Sequence, residues 1–179
     1  MTGVLLVAAT ELELCGEPGL ICGIGPVEAA VATARAIERD RPRAVLDVGV
    51  AGGRGLPLGT LVIGAEALYV DLAAGIPVTS CMKSDAGLLA SVQAALPEAK
   101  VLPISTSAAV GSSGDEARVE AMEGFAVLRA CALAGIPAVE LRAISNEIGE
   151  RDRSRWEVES ALAALADALP RLRVALSHE

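Results

Sequence analysis

The chain alternates between two hydrophobic patterns. Short apolar runs are typical of buried strands, whereas longer segments with apolar residues every three or four positions are typical of amphipathic helices. The apolar runs predict strands at residues 4–9, 19–23, 43–50, 60–71 (one or two strands, divided around Gly64), 100–105 and 137–144. The helical spacing predicts helices at residues 26–40, at 85–96, within 117–134 and at 156–176, the last interrupted near Pro170.

This alternation predicts an α/β protein. We expect a single domain over residues 1–179, folded as a three-layer α/β/α sandwich around a central mixed sheet. A chain of 179 residues is long enough to bury a sizeable core within one domain.

The composition changes this picture mainly by excluding functions. Mean hydropathy is +0.50, yet charge, Gly or Pro interrupts each apolar run well before the ~20 residues that span a bilayer. No basic leader precedes the first strand, so we expect a cytoplasmic protein with no membrane partner. A net charge of −8 without a basic cluster argues against nucleic acid as a partner. The four cysteines lack zinc-binding spacing, which argues against a zinc site. We expect neither a metal nor another cofactor.

Polar residues near predicted strand ends are the candidates for chemistry. The single histidine, His178, lies in the last residues of the chain, so acid–base catalysis falls to carboxylates. Glu13 follows the first strand, Glu123 begins a predicted helix and Asn146 follows a predicted strand, where open α/β sheets bind ligands. Each has a structural alternative, because a Glu at a helix start complements the helix dipole and an Asn after a strand is a common turn residue.

Two glycine-rich segments, residues 23–25 and 49–55, are further candidates. The first lacks the third glycine of a dinucleotide fingerprint, and neither has the Lys-Ser/Thr pair of a P-loop. We therefore interpret them as tight turns, the second as a corner that follows the strand at residues 43–50.

Four motifs follow one another along the chain: Gly-Ile-Gly-Pro-Val-Glu-Ala-Ala at 23–30, Gly-Val-Ala-Gly-Gly at 49–53, Ala-Met-Glu-Gly at 121–124 and Arg-Ala-Ile-Ser-Asn at 142–146. In this order they resemble the purine nucleoside phosphorylase and nucleosidase superfamily. Met-Glu-Gly, and the Arg151-Asp152-Arg153 and Trp156 that follow the last motif, resemble the futalosine hydrolases most. Those enzymes release hypoxanthine in menaquinone biosynthesis, from a nucleoside with a benzoate-like group at its 5′ end. The match spans most of the chain.

The resemblance implies a role for each matching residue. It implies that Glu13 activates the attacking water and that Asn146, the second catalytic residue, contacts the purine. Glu123 would bind the ribose hydroxyls. The remaining substrate-binding positions would be Met122 against the sugar, the segment Val50, Ala51 and Gly52 beside the ribose and the water, and Ser145, which would orient Asn146.

Hydrogen-bond chemistry indicates which purine the site would recognise and whether water or phosphate would attack. An Asn amide donates to a 6-oxo group and accepts from N7–H, so Asn146 favours hypoxanthine or guanine over the adenine expected with Asp. A phosphorylase needs cationic donors around its phosphate, and only Arg54 lies near a candidate anion loop. We therefore expect hydrolysis, with another purine nucleosidase or a phosphorylase as the alternative.

The chain also departs from the family. It is shorter than typical relatives, and we expect the missing segment after Asp71. Residues 105–114 lack the aromatic that normally stacks on the base, and Phe125 and Trp156 are the candidate substitutes. A shortened, non-catalytic purine-binding protein is therefore the second hypothesis. The family and the aliphatic composition together predict a homodimer or a higher homo-oligomer. The arginines at 151, 153 and 155 form either a solvated basic turn or a contact to the 5′ carboxylate.

Overall fold

A computed structural model describes residues 2–72, 74–112, 114 and 116–178. The strands are β1 Thr2–Ala8, β2 Leu20–Ile21, β3 Pro42–Gly53, β4 Leu61–Tyr69, β5 Cys81–Lys83, β6 Lys100–Thr106, β7 Val119–Ala121 and β8 Ala138–Glu147. The helices are α1 Pro26–Asp40, α2 Ala86–Ala95, α3 Gly124–Ala134 and α4 Val158–Ala175, with short 3-10 helices at Leu12–Leu14, Arg153–Arg155 and Leu176–His178.

The strands form one mixed sheet, as the alternating pattern predicts. Parallel pairing joins β2 to β1, β1 to β3, β3 to β8, β4 to β6 and β6 to β7. Antiparallel pairing joins β8 to β4, β4 to β5 and β7 to β3. Because β7 pairs with both β6 and β3, the strands β3, β8, β4, β6 and β7 close into a ring at one end of the sheet. The sequence did not predict this closure.

Helices cover both faces of the sheet, which confirms the three-layer architecture. On one face, α2 and α4 share a buried cluster with β3 and β8, which includes Val92, Leu165, Leu46 and Leu141. On the other face, α1 and α3 pack on β1 and β3 through side chains such as Ile37 and Leu128. Among the helices of the described residues, none combines the length and the apolar character that a membrane span requires.

Several predicted boundaries are wrong, and each has a physical reason. The glycine-rich segment at 51–53 continues β3 rather than forming a corner, because the ladders to β7 and β8 hold it extended. The helix predicted within 117–134 is present as α3, but the strand β7 that precedes it in the same range was not predicted. Pro170 does not interrupt α4, since the helix runs continuously through it. The strand β5 was missed because a three-residue edge strand carries too little pattern to detect.

Candidate active site

A cavity of about 320 Å³ opens beside the carboxyl ends of β3 and β8. Every residue predicted for the site lines it: Glu13, Val50, Ala51, Gly52, Met122, Glu123, Ser145 and Asn146. These residues come from four separate parts of the chain, so the fold brings together what the sequence predicted as one site.

Glu13 is held by neutral donors. It lies in the 3-10 helix Leu12–Leu14, which directly follows β1, and its side chain is buried. One carboxylate oxygen accepts from the backbone N–H of Val50 at 3.0 Å. The other accepts from the N–H and the hydroxyl of Thr10, at 3.0 and 2.8 Å. All three contacts are donated to Glu13, so its oxygens act as acceptors beside the cavity.

Glu123 is the N-cap residue of α3, as predicted, and its surroundings differ from those of Glu13. Its Oε1 accepts from the backbone N–H of Gly25 at 2.9 Å, and its Oε2 lies 3.8 Å from Nη2 of Arg142. Burial raises the pKa of Glu123, against the opposing effects of the Arg142 charge and the Gly25 hydrogen bond. The loop before α1 therefore helps to hold the carboxylate that begins α3.

A buried charge cluster lies behind this carboxylate. Arg142, in the middle of β8, donates from Nε to Glu140 at 2.8 Å and from Nη2 to Asp47 at 2.5 Å. All three side chains are fully buried. Burial raises the pKa of both Asp47 and Glu140, although Arg142 opposes the shift. The Arg142 guanidinium therefore forms ion pairs with three carboxylates, those of Asp47, Glu140 and Glu123.

Two glycines make room for this cluster. A Cβ atom at Gly49 would overlap with Arg142 Nη1 and Glu13, and one at Gly124 would overlap with Glu140. The glycine in the Met-Glu-Gly motif thus has a steric cause, since the Glu140 carboxylate occupies the space that a side chain at Gly124 would need.

A bulge directs two successive residues of β8 to the cavity. Ala51 pairs with Ile144 and Gly52 pairs with Asn146, so Ser145 is the extra residue of the ladder. Neighbouring side chains of a regular strand point to opposite faces, and bulges near active sites commonly redirect one of them. Here both Ser145 and Asn146 line the cavity.

The Asn146 amide has a defined orientation. Its Oδ1 accepts from the Ser145 hydroxyl at 2.8 Å, and its Nδ2 donates to the carbonyl of Glu147 at 3.0 Å. An amide oxygen accepts two hydrogen bonds and an amide nitrogen donates two, so each end keeps one for a ligand.

The other sequence candidates occupy different places. Arg54 donates from Nη1 to the carbonyls of Gly114 and Ala117 at 2.9 and 3.0 Å and does not line the cavity. Phe125 stacks on Tyr69 within the core, with ring centroids 5.2 Å apart. Trp156 does line the cavity, and so does Arg153. Within the described residues, no group of three or more His, Cys, Asp or Glu side chains is placed to hold a metal ion.

Sequence reasoning missed the support provided by Arg142, Asp47 and Glu140. A signal was present, because Glu140 and Arg142 are two charged residues on the same side of the predicted strand at 137–144, which is otherwise apolar. Their partner Asp47 lies on β3, and only the β3–β8 pairing brings it close.

Comparison with known proteins identifies the family of this fold and site. Residues 16–178 match the model of the phosphorylase superfamily. The chain is 35% identical over 180 residues to a futalosine hydrolase of Streptomyces coelicolor, covering 86% of this chain and 77% of the relative. It is 34% identical over 212 residues to that of Thermus thermophilus, covering 94% of each. The futalosine hydrolase structure of Helicobacter pylori superposes with a TM-score of 0.84 at 20% identity, covering 96% of this chain and 97% of that one.

The chain belongs to the phosphorylase superfamily, and within it to the family of the futalosine hydrolases. The match to the Thermus protein extends over more positions than this chain has residues, so positions of the relative are missing here.

Proposed function

We propose that the protein hydrolyses the N-glycosidic bond of futalosine, releasing hypoxanthine. One observation carries the proposal: a single cavity is lined by two separately held carboxylates, Glu13 and Glu123, and by an amide, Asn146. Cleavage of such a bond passes through an oxocarbenium-like sugar, which needs an activated water on one face and a stabilised leaving group on the other.

Each residue has a role in this mechanism. Glu13, whose oxygens both act as acceptors, takes a proton from the water as the water oxygen bonds to C1′. Glu123 binds the ribose hydroxyls. The departing base is protonated at N7 from solvent, and Asn146 accepts from that N7–H while its amide N–H donates to the 6-oxo group.

Water rather than phosphate is the proposed nucleophile. A phosphate site needs cationic donors, and Arg54, the sequence candidate, donates instead to backbone carbonyls of its own surroundings. Arg142 is enclosed by carboxylates, which would repel a phosphate anion. These contacts favour hydrolysis over phosphorolysis.

We further infer that the protein is cytoplasmic and acts in menaquinone biosynthesis. We also infer that it forms a homodimer or a higher homo-oligomer. The support for oligomerisation is a groove of about 1130 Å³ between α1 and α3, lined largely by aliphatic side chains. Val27 and Leu133 on its rim are 73% and 72% exposed. An apolar surface of this extent is typical of a subunit interface, and a second copy would cover it. A monomer in light scattering would contradict this inference.

The activity is tested by supplying futalosine, inosine or methylthioadenosine to purified protein, with and without phosphate, and separating the released bases. We expect hypoxanthine from futalosine at a rate independent of phosphate. Formation of ribose 1-phosphates would overturn hydrolysis, and adenine release from methylthioadenosine as the fastest reaction would overturn the substrate. No base from any of the three would favour the non-catalytic alternative.

A further inference from the structure

An arginine and a tryptophan stack on each other at the wall of the cavity. Arg153 begins the 3-10 helix Arg153–Arg155, and Trp156 follows it directly. The guanidinium carbon of Arg153 lies 5.6 Å from the centroid of the Trp156 ring, a distance typical of cation–π contacts. The half-buried indole is fixed by a 3.0 Å hydrogen bond from its Nε1 to the carbonyl of Glu150. Both residues line the cavity that contains Glu13 and Asn146.

The two arginines of this 3-10 helix differ in their partners. Arg155 lies 3.3 Å from Glu150 and 3.9 Å from Asp152, and it does not line the cavity. Arg153 has no carboxylate within ion-pair distance in the part of the chain that the structure describes. The charged side chains of the described cavity wall are Glu13, Glu120, Glu123 and Arg153. The Arg153 guanidinium is thus held by the Trp156 ring rather than by a carboxylate, and it faces the cavity where a ligand would bind.

The chemistry of the ligand indicates what this cation binds. This step rests on the proposed function, in which Asn146 contacts the base and Glu123 the 2′ and 3′ hydroxyls. A simple nucleoside is neutral, so neither its base nor its sugar needs a cation. The position that remains is the substituent at C5′.

We propose that Arg153 and Trp156 determine specificity by binding an aromatic carboxylate attached to the 5′ carbon of the nucleoside. The planar guanidinium presents paired N–H donors that match a carboxylate, a geometry that lysine lacks. The indole presents an apolar face of the size that an aryl group covers. The same stacking contact restrains the guanidinium before the substrate arrives.

The experiment compares Arg153→Gln, Arg153→Lys and Arg155→Gln with the wild type on three substrates: futalosine, its carboxylate methyl ester and inosine. Arg155→Gln is the matched control, because it removes a neighbouring arginine that the cavity does not include. We expect Arg153→Gln to raise KM for futalosine about 10- to 100-fold with kcat nearly unchanged, the loss of a charge-assisted hydrogen-bonded contact. Its kcat/KM for the ester and for inosine should stay within about twofold of the wild type, and Arg153→Lys should recover only part of the loss.

Equal losses on all three substrates, or equal losses for Arg153→Gln and Arg155→Gln, would overturn the inference. A wild type that hydrolyses inosine and futalosine with the same kcat/KM would overturn it too, while leaving a purine nucleosidase. If the wild type releases no base at all, the proposed function fails. The inference is then tested by binding, with calorimetric titration of futalosine and of its ester into the wild type and into Arg153→Gln. Tighter binding of the acid than of the ester, only when Arg153 is present, supports it; the same affinity in all four titrations overturns it.

Discussion

Two openings of very different character share one pair of helices. α1 and α3 both begin beside the proposed catalytic cavity, where the N–H of Gly25 holds Glu123, and both then line the apolar groove. The cavity is the smaller, about 320 Å³ against 1130 Å³. Its functional groups are fixed by hydrogen bonds at strand ends, whereas the groove consists mainly of exposed aliphatic side chains. The larger opening is therefore not the one that we propose to be the active site. That assignment rests on the polar groups that hydrogen bonds fix in the smaller cavity.

The difference also assigns separate tasks to the two ends of each helix. The N-cap residues of α1 and α3 meet where the N–H of Gly25 holds the Glu123 carboxylate, and the remaining turns line the groove that we propose a second copy covers. A change in the cavity should act on the reaction directly, while a change in the groove should act on assembly first and on the reaction only through the shared helices.

The largest effect on the cavity side is expected from Glu13→Gln. Glutamine has the shape of glutamate but cannot accept a proton from the attacking water, so kcat for hypoxanthine release should fall about 10²- to 10⁴-fold. The matched control is Glu11→Gln, because Glu11 is an exposed neighbour that does not line the cavity. Steady-state kinetics on folded variants, checked by circular dichroism, measures both. Retained activity in Glu13→Gln would remove Glu13 from the mechanism and with it the main support for a hydrolase.

The next largest effect is expected on stability, from Arg142→Met. This change leaves the carboxylates of Asp47 and Glu140 buried without their cation, which typically costs about 3–5 kcal/mol. Arg171→Met is the control, since it removes a half-exposed partner of Glu98 and should cost at most about 1 kcal/mol. Urea unfolding gives both free energies. Similar values for the two variants would show that the buried cluster is not a special support of the cavity.

Asn146→Asp should change which base is released. Aspartate lacks the N–H that donates to a 6-oxo group, so kcat/KM for hypoxanthine release should fall about 10- to 100-fold, the cost of an unsatisfied buried acceptor. Release of adenine from methylthioadenosine should rise relative to hypoxanthine release. Competition between the two nucleosides, followed by chromatography of the bases, measures the ratio. An unchanged ratio would mean that another group reads the 6-position.

A smaller effect is expected from Glu140→Gln on the pH dependence of stability. Burial raises the pKa of Glu140, beside Arg142, Asp47 and Glu123, so the folded state holds a proton that the unfolded chain has already lost. The stability contributed by that proton is present at low pH and is lost as pH rises from the ordinary carboxyl range through the raised value, by at most about 1.4 kcal/mol per pH unit. Glutamine cannot titrate, so the variant should lose stability less steeply over this window. Urea unfolding at several pH values tests this, and an equal or steeper decline would contradict it.

The sequence predicted the cavity better than its surroundings, for a physical reason. Glu13, Glu123 and Asn146 lie next to strand ends or helix starts, and such positions are readable from local hydrophobic patterns. The Arg142 cluster and the bulge at Ser145 depend instead on how β3 pairs with β8, which involves residues far apart in the chain. The strand β7 was hidden for the same reason, because three residues become a strand only through their partners in β3 and β6.

The smallest effect on the reaction is expected from the groove. Val31→Asp places a charge on the exposed apolar face of α1, where Val31 is 55% exposed, and should convert the proposed oligomer to a monomer in light scattering. Activity should then fall by only about fivefold, which corresponds to the lower end of typical coupling free energies between two sites. The effect is small because loss of the partner acts on the cavity through Gly25 and α1 rather than through a reacting group. Val174→Asp is the control: Val174 is 71% exposed on α4, across the sheet from the groove, and its variant should keep both assembly and activity. A monomeric Val31→Asp with full activity would mean that the groove and the cavity are independent, even though α1 and α3 connect them.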